Sequence, residues 1–308
     1  MISQILFVSG FVILLICVLL FASRIIFVRN VIIKMNVAHF ISLFLFILFI
    51  ILHIATYGIA FPIHFQILRM HLFMVLGGFI ALFLLLAEYM QLNLVKTRSI
   101  DLLEALIGVI EVRDPNLEGH SLHVRNLSLL LYYNLPFSYR FKLNSLDLQY
   151  IALLIDIGKM CIPSSIIEKS GKLGKEELLL IRNHPLLSEN VLLNVKGFEK
   201  IARCIKYHHE RFDGKGTYQL KGEEIPLASR IVAVADTFSA LTMNRTYKPS
   251  LSYEEAISEL RLVSGSQLDK TLVEYFCSIP LRDIEKSMEI VKAQMQKYSL
   301  ENCMTKQR

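Results

Sequence analysis

The stretch Ile201 to Gly214 reads IARCIKYHHERFDG: an apolar helical run, two adjacent histidines at His208 and His209, then the turn signal Asp213-Gly214. Neighbouring imidazoles in an apolar helical stretch are costly unless something coordinates them, so the segment marks both a helix and a candidate ligand site. Around it, from about Leu102 to Leu281, apolar runs alternate with further turn signals such as Asp114-Pro115 and Ser170-Gly171, and few segments alternate with period two. The expected fold is all-α, a helical bundle of roughly 180 residues, enough for one well-packed core.

The chain before this bundle is of another class. Up to Val95 the bases are Arg24, Arg29, Lys34 and Arg69 and the one acid is Glu88. Three apolar runs, 5–22, 40–61 and 70–87, are each long enough at ~1.5 Å per residue to cross most of a core about 30 Å thick, and are read as transmembrane helices. A cleaved signal peptide would need a positive charge ahead of the first run, and Met1-Ile2-Ser3-Gln4 has none. Three bases in the first loop against Arg69 in the second put the first loop inside, the amino terminus outside and the helical domain in the cytoplasm, as for a multi-pass protein of a bacterial inner membrane. His53, His64 and His71 are read as interhelical or headgroup-level residues. The loop between the second and third spans is too short for an external sensor domain.

From Glu88 onwards Leu92, Val95, Leu102, Leu106 and Ile110 fall near helical spacing, which predicts a connecting helix over 89–101 and a possible homodimer through it. The tail 282–308 carries Ile284, Met288, Val291, Met295 and Tyr298 on one stripe, a packing or pairing helix.

Four bases against one acid before Val95 account for half of the +6 formal charge, so the basic balance says little about nucleic acid, and none is expected as a partner. The five cysteines, Cys17, Cys161, Cys204, Cys277 and Cys303, form no CxxC pair, as in a reducing compartment.

Imidazoles and carboxylates cluster along the domain: Gly119-His120, Ile155-Asp156-Ile157-Gly158-Lys159, His184-Pro185, His208-His209-Glu210-Arg211 and Ala235-Asp236. These are the ligand types that hold a borderline cation while leaving positions open for water and substrate. Their order resembles the HD-GYP subdivision of the HD phosphohydrolase superfamily. Arg113-Asp114-Pro115 with Gly119-His120-Ser121 matches its opening motif, Leu153 to Lys159 falls on its histidine-aspartate pair, and His208 to Gly214, Leu220 to Glu223, Ala233 to Asp236 and Asn244 to Lys248 follow in the same sequence. The resemblance implies a helical domain over 102–281 that hydrolyses cyclic di-GMP or a related nucleotide with divalent iron or manganese, one or two ions here. It implies His120, Asp156 and Asp236 on one metal, Asp156 bridging to a second held by His184, His208 and His209, and Lys159, Arg245 and Lys248 on phosphate oxygens. Asp156 and Lys159 are the expected catalytic residues.

The sequence departs from that family at several points. Ile155 stands where the family has the histidine of its pair, and an alkyl chain offers a metal no lone pair. The tripeptide of the family name reads Gly216-Thr217-Tyr218, Ser239 replaces a usual aspartate, and Asn116 replaces a carboxylate found with a third metal, so none is expected. His123, one turn after His120, is read as a solvated helix-surface residue. The expectation is a membrane-anchored signalling protein with impaired or lost hydrolysis. The alternatives are an active cyclic di-GMP phosphodiesterase with an altered metal site, and a phosphohydrolase of another nucleotide.

Overall fold

Turn and cap chemistry divides the chain into short helices. Asn144 opens one by accepting the Leu146 N–H at 2.8 Å, Asp269 another by accepting Thr271 N–H at 2.9 Å, and Ser252 a third in a reciprocal box with Glu255. The computed structural model describes residues 77, 89–90, 93–111, 119–167, 169, 171–243 and 250–298. The chain divides into two compact units, Met1–Val95 and Lys96–Arg308. Apart from Gly77, the spans predicted at 5–22, 40–61 and 70–87 lie outside the described residues, among which no helix is long and apolar enough to cross a membrane.

Helix α1 covers residues 93–111, of which 96–111 belong to the second unit. It is followed by α2 His120–Asn134, α3 Phe137–Arg140, α4 Ser145–Leu154, α5 Ser164–Ile167, α6 Lys175–Arg182, α7 His184–Leu192, α8 Glu199–Lys206, α9 Leu227–Thr242, α10 Tyr253–Leu262, α11 Lys270–Cys277 and α12 Leu281–Tyr298. Two 3-10 turns, Ile157–Cys161 and Gly222–Glu224, complete the order. Among the described residues there is no strand, and extended pairing is limited to two isolated bridges.

The centre of the bundle is α2, which packs against α4, α9, α11 and α12. Leu127 and Leu131 of α2, Ile151 of α4, Ile231 and Phe238 of α9 and Phe276 of α11 form one buried apolar cluster, and Ile100, Leu122, Leu153, Val291 and Met295 form a second. Among the described residues every buried member of both lies between Ile100 and Met295, within this unit. The connecting helix does not stop at residue 101: α1 runs on to Glu111 and places Ile107 in the larger cluster. The stripe on the tail is a packing face within the chain, with Ile284, Val291 and Met295 of α12 buried. Gly119, with φ +74°, turns the chain into α2, and a Cβ there would lie 2.7 Å from Val291 Cγ1, so both conformation and space require glycine.

Candidate metal centre

Asp156 sits at the meeting point of three elements. It lies two residues past the end of α4 and occupies the position that opens the 3-10 turn Ile157–Cys161. That turn lies on the start of α7 because Gly158 has no side chain to hit the His184 carbonyl. Ser188 Oγ locks the approach, accepting Gly158 N–H at 2.8 Å and donating to Ile155 O at 3.1 Å.

One carboxylate oxygen of Asp156, Oδ1, lies 3.2 Å from His184 Nε2. The other, Oδ2, lies 2.8 Å from Lys159 Nζ and 3.7 Å from His120 Nε2. His120 Nε2 is in turn 3.0 Å from Asp236 Oδ1 on α9. On the far side His184, His208 and His209 place one ligand atom each within 4.8 Å of one another. The six residues expected from sequence as ligands thus converge on a pocket whose two halves share Asp156. The histidine pair lies just beyond the end of α8 rather than inside a helix, because the chain leaves helical hydrogen bonding at Tyr207. That turn leaves His208 buried and His209 exposed at the mouth.

The hydrogen bonds assign tautomers. His184 Nδ1 is 2.8 Å from Ile181 O and His208 Nδ1 is 2.6 Å from Ile205 O; a carbonyl only accepts, so each Nδ1 carries the proton. Each Nε2 is then a bare lone pair, buried and without a hydrogen-bond partner. The 3.2 Å approach of His184 Nε2 to Asp156 sets one lone pair against another, unless a proton or a cation lies between them. Burial, followed by His209 and His184, holds the His208 imidazole down to about 3, so protonation is not its remedy at neutral pH. Burial opposes ionisation of Asp156, but Lys159, His184 and His120 outweigh it and keep the carboxyl well below the usual range. Asp236 is also lowered, His120 overcoming the effect of burial. Two orphaned Nε2 atoms beside a carboxylate fixed as the anion fit a divalent cation.

Sequence comparison gives the family. The HD domain family model matches residues 104–272, more than half of the chain. The chain belongs to the HD domain family. It is 39% identical over 136 residues to a cyclic di-GMP phosphodiesterase of Vibrio cholerae, covering 42% of this chain and 28% of that protein. It is 35% identical over 182 residues to a cyclic di-GMP phosphodiesterase of Thermotoga maritima, covering 58% and 49%. A third relative, a 3'3'-cGAMP-specific phosphodiesterase of Vibrio cholerae, is 32% identical over 151 residues, covering 49% and 32%. The chain therefore spans half or less of the length of these relatives.

Within this HD domain Ile155 is fully buried and belongs to the larger apolar cluster. On α2, beside His120, stands a residue whose setting differs from the sequence expectation. His123 is not solvated: it is fully buried, and burial followed by His120 lowers it to about 3. His123 Nδ1 and His120 Nδ1 each lie 3.0 Å from the one Ser239 hydroxyl. That oxygen has a single proton to give. If His120 presents Nε2 to a metal, its Nδ1–H donates to Ser239, and Ser239 in turn donates to His123 Nδ1 or to Met243 Sδ at 3.3 Å. Ser239 thus orients His120 from behind, and its spacing of three from Asp236 on α9 is the signal that puts both on one face. Glu111 was also missed. It is buried, accepts Ser121 N–H at 2.9 Å, and burial raises it to about 7.

The loop with Gly216-Thr217-Tyr218 is clamped from beneath. Buried Glu210 accepts Tyr218 N–H at 2.8 Å on one oxygen and Leu220 N–H at 3.0 Å on the other. The Tyr218 ring stands edge-on to Tyr207, under Lys206 Nζ. Of the three cations expected on phosphate, Lys159 lies beside Asp156; Arg245 and Lys248, with Asn116 and the Arg113-Asp114-Pro115 motif, lie outside the described residues.

Proposed function

We propose that the chain is a membrane-anchored signalling protein of HD-GYP type that binds a cyclic dinucleotide at a metal-loaded pocket and hydrolyses it poorly or not at all. The carrying observation is the asymmetry of the pocket. On the side of His184, His208 and His209 the ligand atoms lie within 4.8 Å of one another, whereas the residue before Asp156, where the resemblance expects a further ligand beside His120 and Asp236, is the buried alkyl chain of Ile155.

In this reading His184, His208, His209 and Asp156 hold one iron or manganese, and His120, Asp236 and Asp156 offer only three protein ligands to a second. A bound divalent ion would acidify water and neutralise charge on phosphorus; a pair does both on each side of the phosphoryl group. Lys159, with Arg245 and Lys248, would meet phosphate oxygens as point or forked cations. Residues 1–88 would anchor the domain to the inner membrane with its amino terminus outside. A homodimer through α1 is part of the proposal, supported by exposed Leu102, Leu106 and Val109 on that helix.

A second reading, an active phosphodiesterase with an altered site, is favoured by His123, a buried imidazole beside the deficient half whose Nε2 has no partner. Purified protein loaded with manganese separates the two on cyclic di-GMP and 3'3'-cGAMP. The proposal expects nucleotide binding with turnover at least about 100-fold below an intact family member, the scale of a lost metal ligand or its support. It also expects His208→Ala with His209→Ala to remove metal. Turnover at family rates, or unchanged metal content in that variant, would defeat it.

A further inference from the structure

Between α2 and α4 the chain makes a one-turn knuckle, Pro136 to Lys142, with a surface unlike the rest of the bundle. Phe141 N–H donates to Phe137 O at 2.9 Å, which sets the two residues one helical turn apart on the same side. Both rings stand in solvent, Phe137 71% and Phe141 81% exposed, with centroids 5.9 Å apart. Tyr133 is exposed as well. Beneath them the knuckle is held firmly: buried Tyr132 donates from its hydroxyl towards Leu143 O at 3.1 Å and Arg140 O at 3.3 Å, and Tyr139 packs its ring against Tyr275. The turn is a built projection on a fixed base.

Its charge is one-signed. No acidic residue occurs between Gly119 and Leu146. Arg140 and Lys142 flank Phe141, and neither makes an ion pair with a carboxylate among the described residues. Lys142 Nζ stands 6.0 Å from the centroid of the Tyr139 ring, which leaves its charge unneutralised. Exposed aromatic rings with cations unpaired by carboxylates at their base are the arrangement that enters the headgroup boundary of an anionic bilayer, rings in the acyl margin and cations on phosphate. A protein partner fits less well. Three rings offering at most about 150–250 Å² each, partly covered, fall short of the about 800 Å² per partner of a stable complex.

We infer that the Pro136–Lys142 knuckle docks the domain on an anionic lipid surface. The inference draws on the reading of residues 1–88 as a membrane anchor, which keeps such a surface within reach. The effect would be to fix the orientation of the domain, and hence the exposure of its pocket, by lipid composition.

The test uses the fragment Lys96–Arg308, which carries both apolar clusters. The chain has no tryptophan, so Phe141→Trp supplies a single reporter. Its emission is expected to shift to the blue with vesicles containing phosphatidylglycerol, to shift little with phosphatidylcholine alone, and to revert in high salt. Phe137→Ser with Phe141→Ser should lower vesicle co-sedimentation on the order of tenfold or more with an unchanged thermal melt, since both rings are exposed. Lys142→Gln should lower it several-fold on anionic vesicles only. Emission indifferent to vesicles, equal binding to phosphatidylcholine, or self-association of the fragment that the serine pair abolishes would each overturn the inference. Carbonate extraction of the full chain tests the anchor separately: extraction of the chain together with vesicle binding by the fragment would defeat the anchor and leave the knuckle standing.

Discussion

Ile155→His tests whether the deficient half of the pocket lacks only a ligand. Ile155 is fully buried, and its carbonyl already accepts from Ser188, so the backbone at this position is fixed and only the side chain changes. Without metal, an imidazole with no partner in this apolar niche should cost about 1–3 kcal/mol, which in a unit of this size lowers the thermal midpoint by roughly 2–12 °C. If the new ring reaches the position shared by His120, Asp156 and Asp236, manganese at about 100 times its dissociation constant returns about 2.7 kcal/mol, enough to cancel most of the loss. The assay is a pair of melts with and without manganese, beside metal analysis and cyclic di-GMP turnover, on wild type and variant. The expected result is a metal-dependent recovery in the variant beyond that of wild type, one further equivalent of metal, and faster hydrolysis. A variant that melts lower, recovers no more than wild type and binds no extra metal would refute the reasoning, because position 155 would then face the core alone. A variant that gains metal without turnover would move the lesion to the Gly216-Thr217-Tyr218 loop or to Ser239.

Acid stability of metal-free protein follows from three buried groups. His123 and His208 are held down to about 3 and Glu111 up to about 7. As pH falls from 6.5 to 4.5 the unfolded chain takes up protons at both histidines and the folded one does not, a loss of ~2.7 kcal/mol per pH unit; Glu111, already protonated when folded, returns ~1.4. The unfolding free energy from urea melts should therefore drop by ~1.4 kcal/mol per unit across that window from these three, with His209, also lowered by burial, adding to the loss and Glu104, raised by burial, opposing it, and a flat profile would contradict the burial of the histidines; Asp156 and Asp236, both lowered, contribute only below it. For topology, reporter fusions after Leu20 and Ile100 should both read cytoplasmic while a tag at the amino terminus reads outside, and a periplasmic signal from a fusion at Arg308 would contradict the orientation.

Much of this was legible in the sequence because it depends on local order. Turn signals separate the helices, and the sequential spacing of His120, Asp156, His184, His208, His209 and Asp236 anticipates their convergence. What escaped depends on which way a face turns. His123 stands one turn from His120, so the two share a side of α2, but only the packing of α9 against that side shows that both are buried on Ser239. Phe137 and Phe141 read as ordinary apolar residues, and nothing in their spacing says that Tyr139 turns inward while they turn out. The histidine pair lies past its helix because the chain there must turn to aim two rings at His184.

The same packing bears on what survives the loss of a ligand. A buried carboxylate normally demands a cation, and in Asp156 that demand is largely met from within the chain by Lys159 at 2.8 Å. The anion at the heart of the pocket therefore does not by itself force metal into the deficient half, and Ile155 can pack there at no electrostatic cost. His208 is different. Its buried Nε2 has no hydrogen-bond partner, its burial rules out a proton at neutral pH, and an unmet lone pair costs about 1–3 kcal/mol. The fold thus tolerates an empty first half but keeps a standing gain from filling the second, so a chain that has given up the histidine at 155 still has physical reason to retain a metal at His184, His208 and His209. On the proposed reading such a pocket would hold a nucleotide phosphate against one cation and lack the second with which to cleave it.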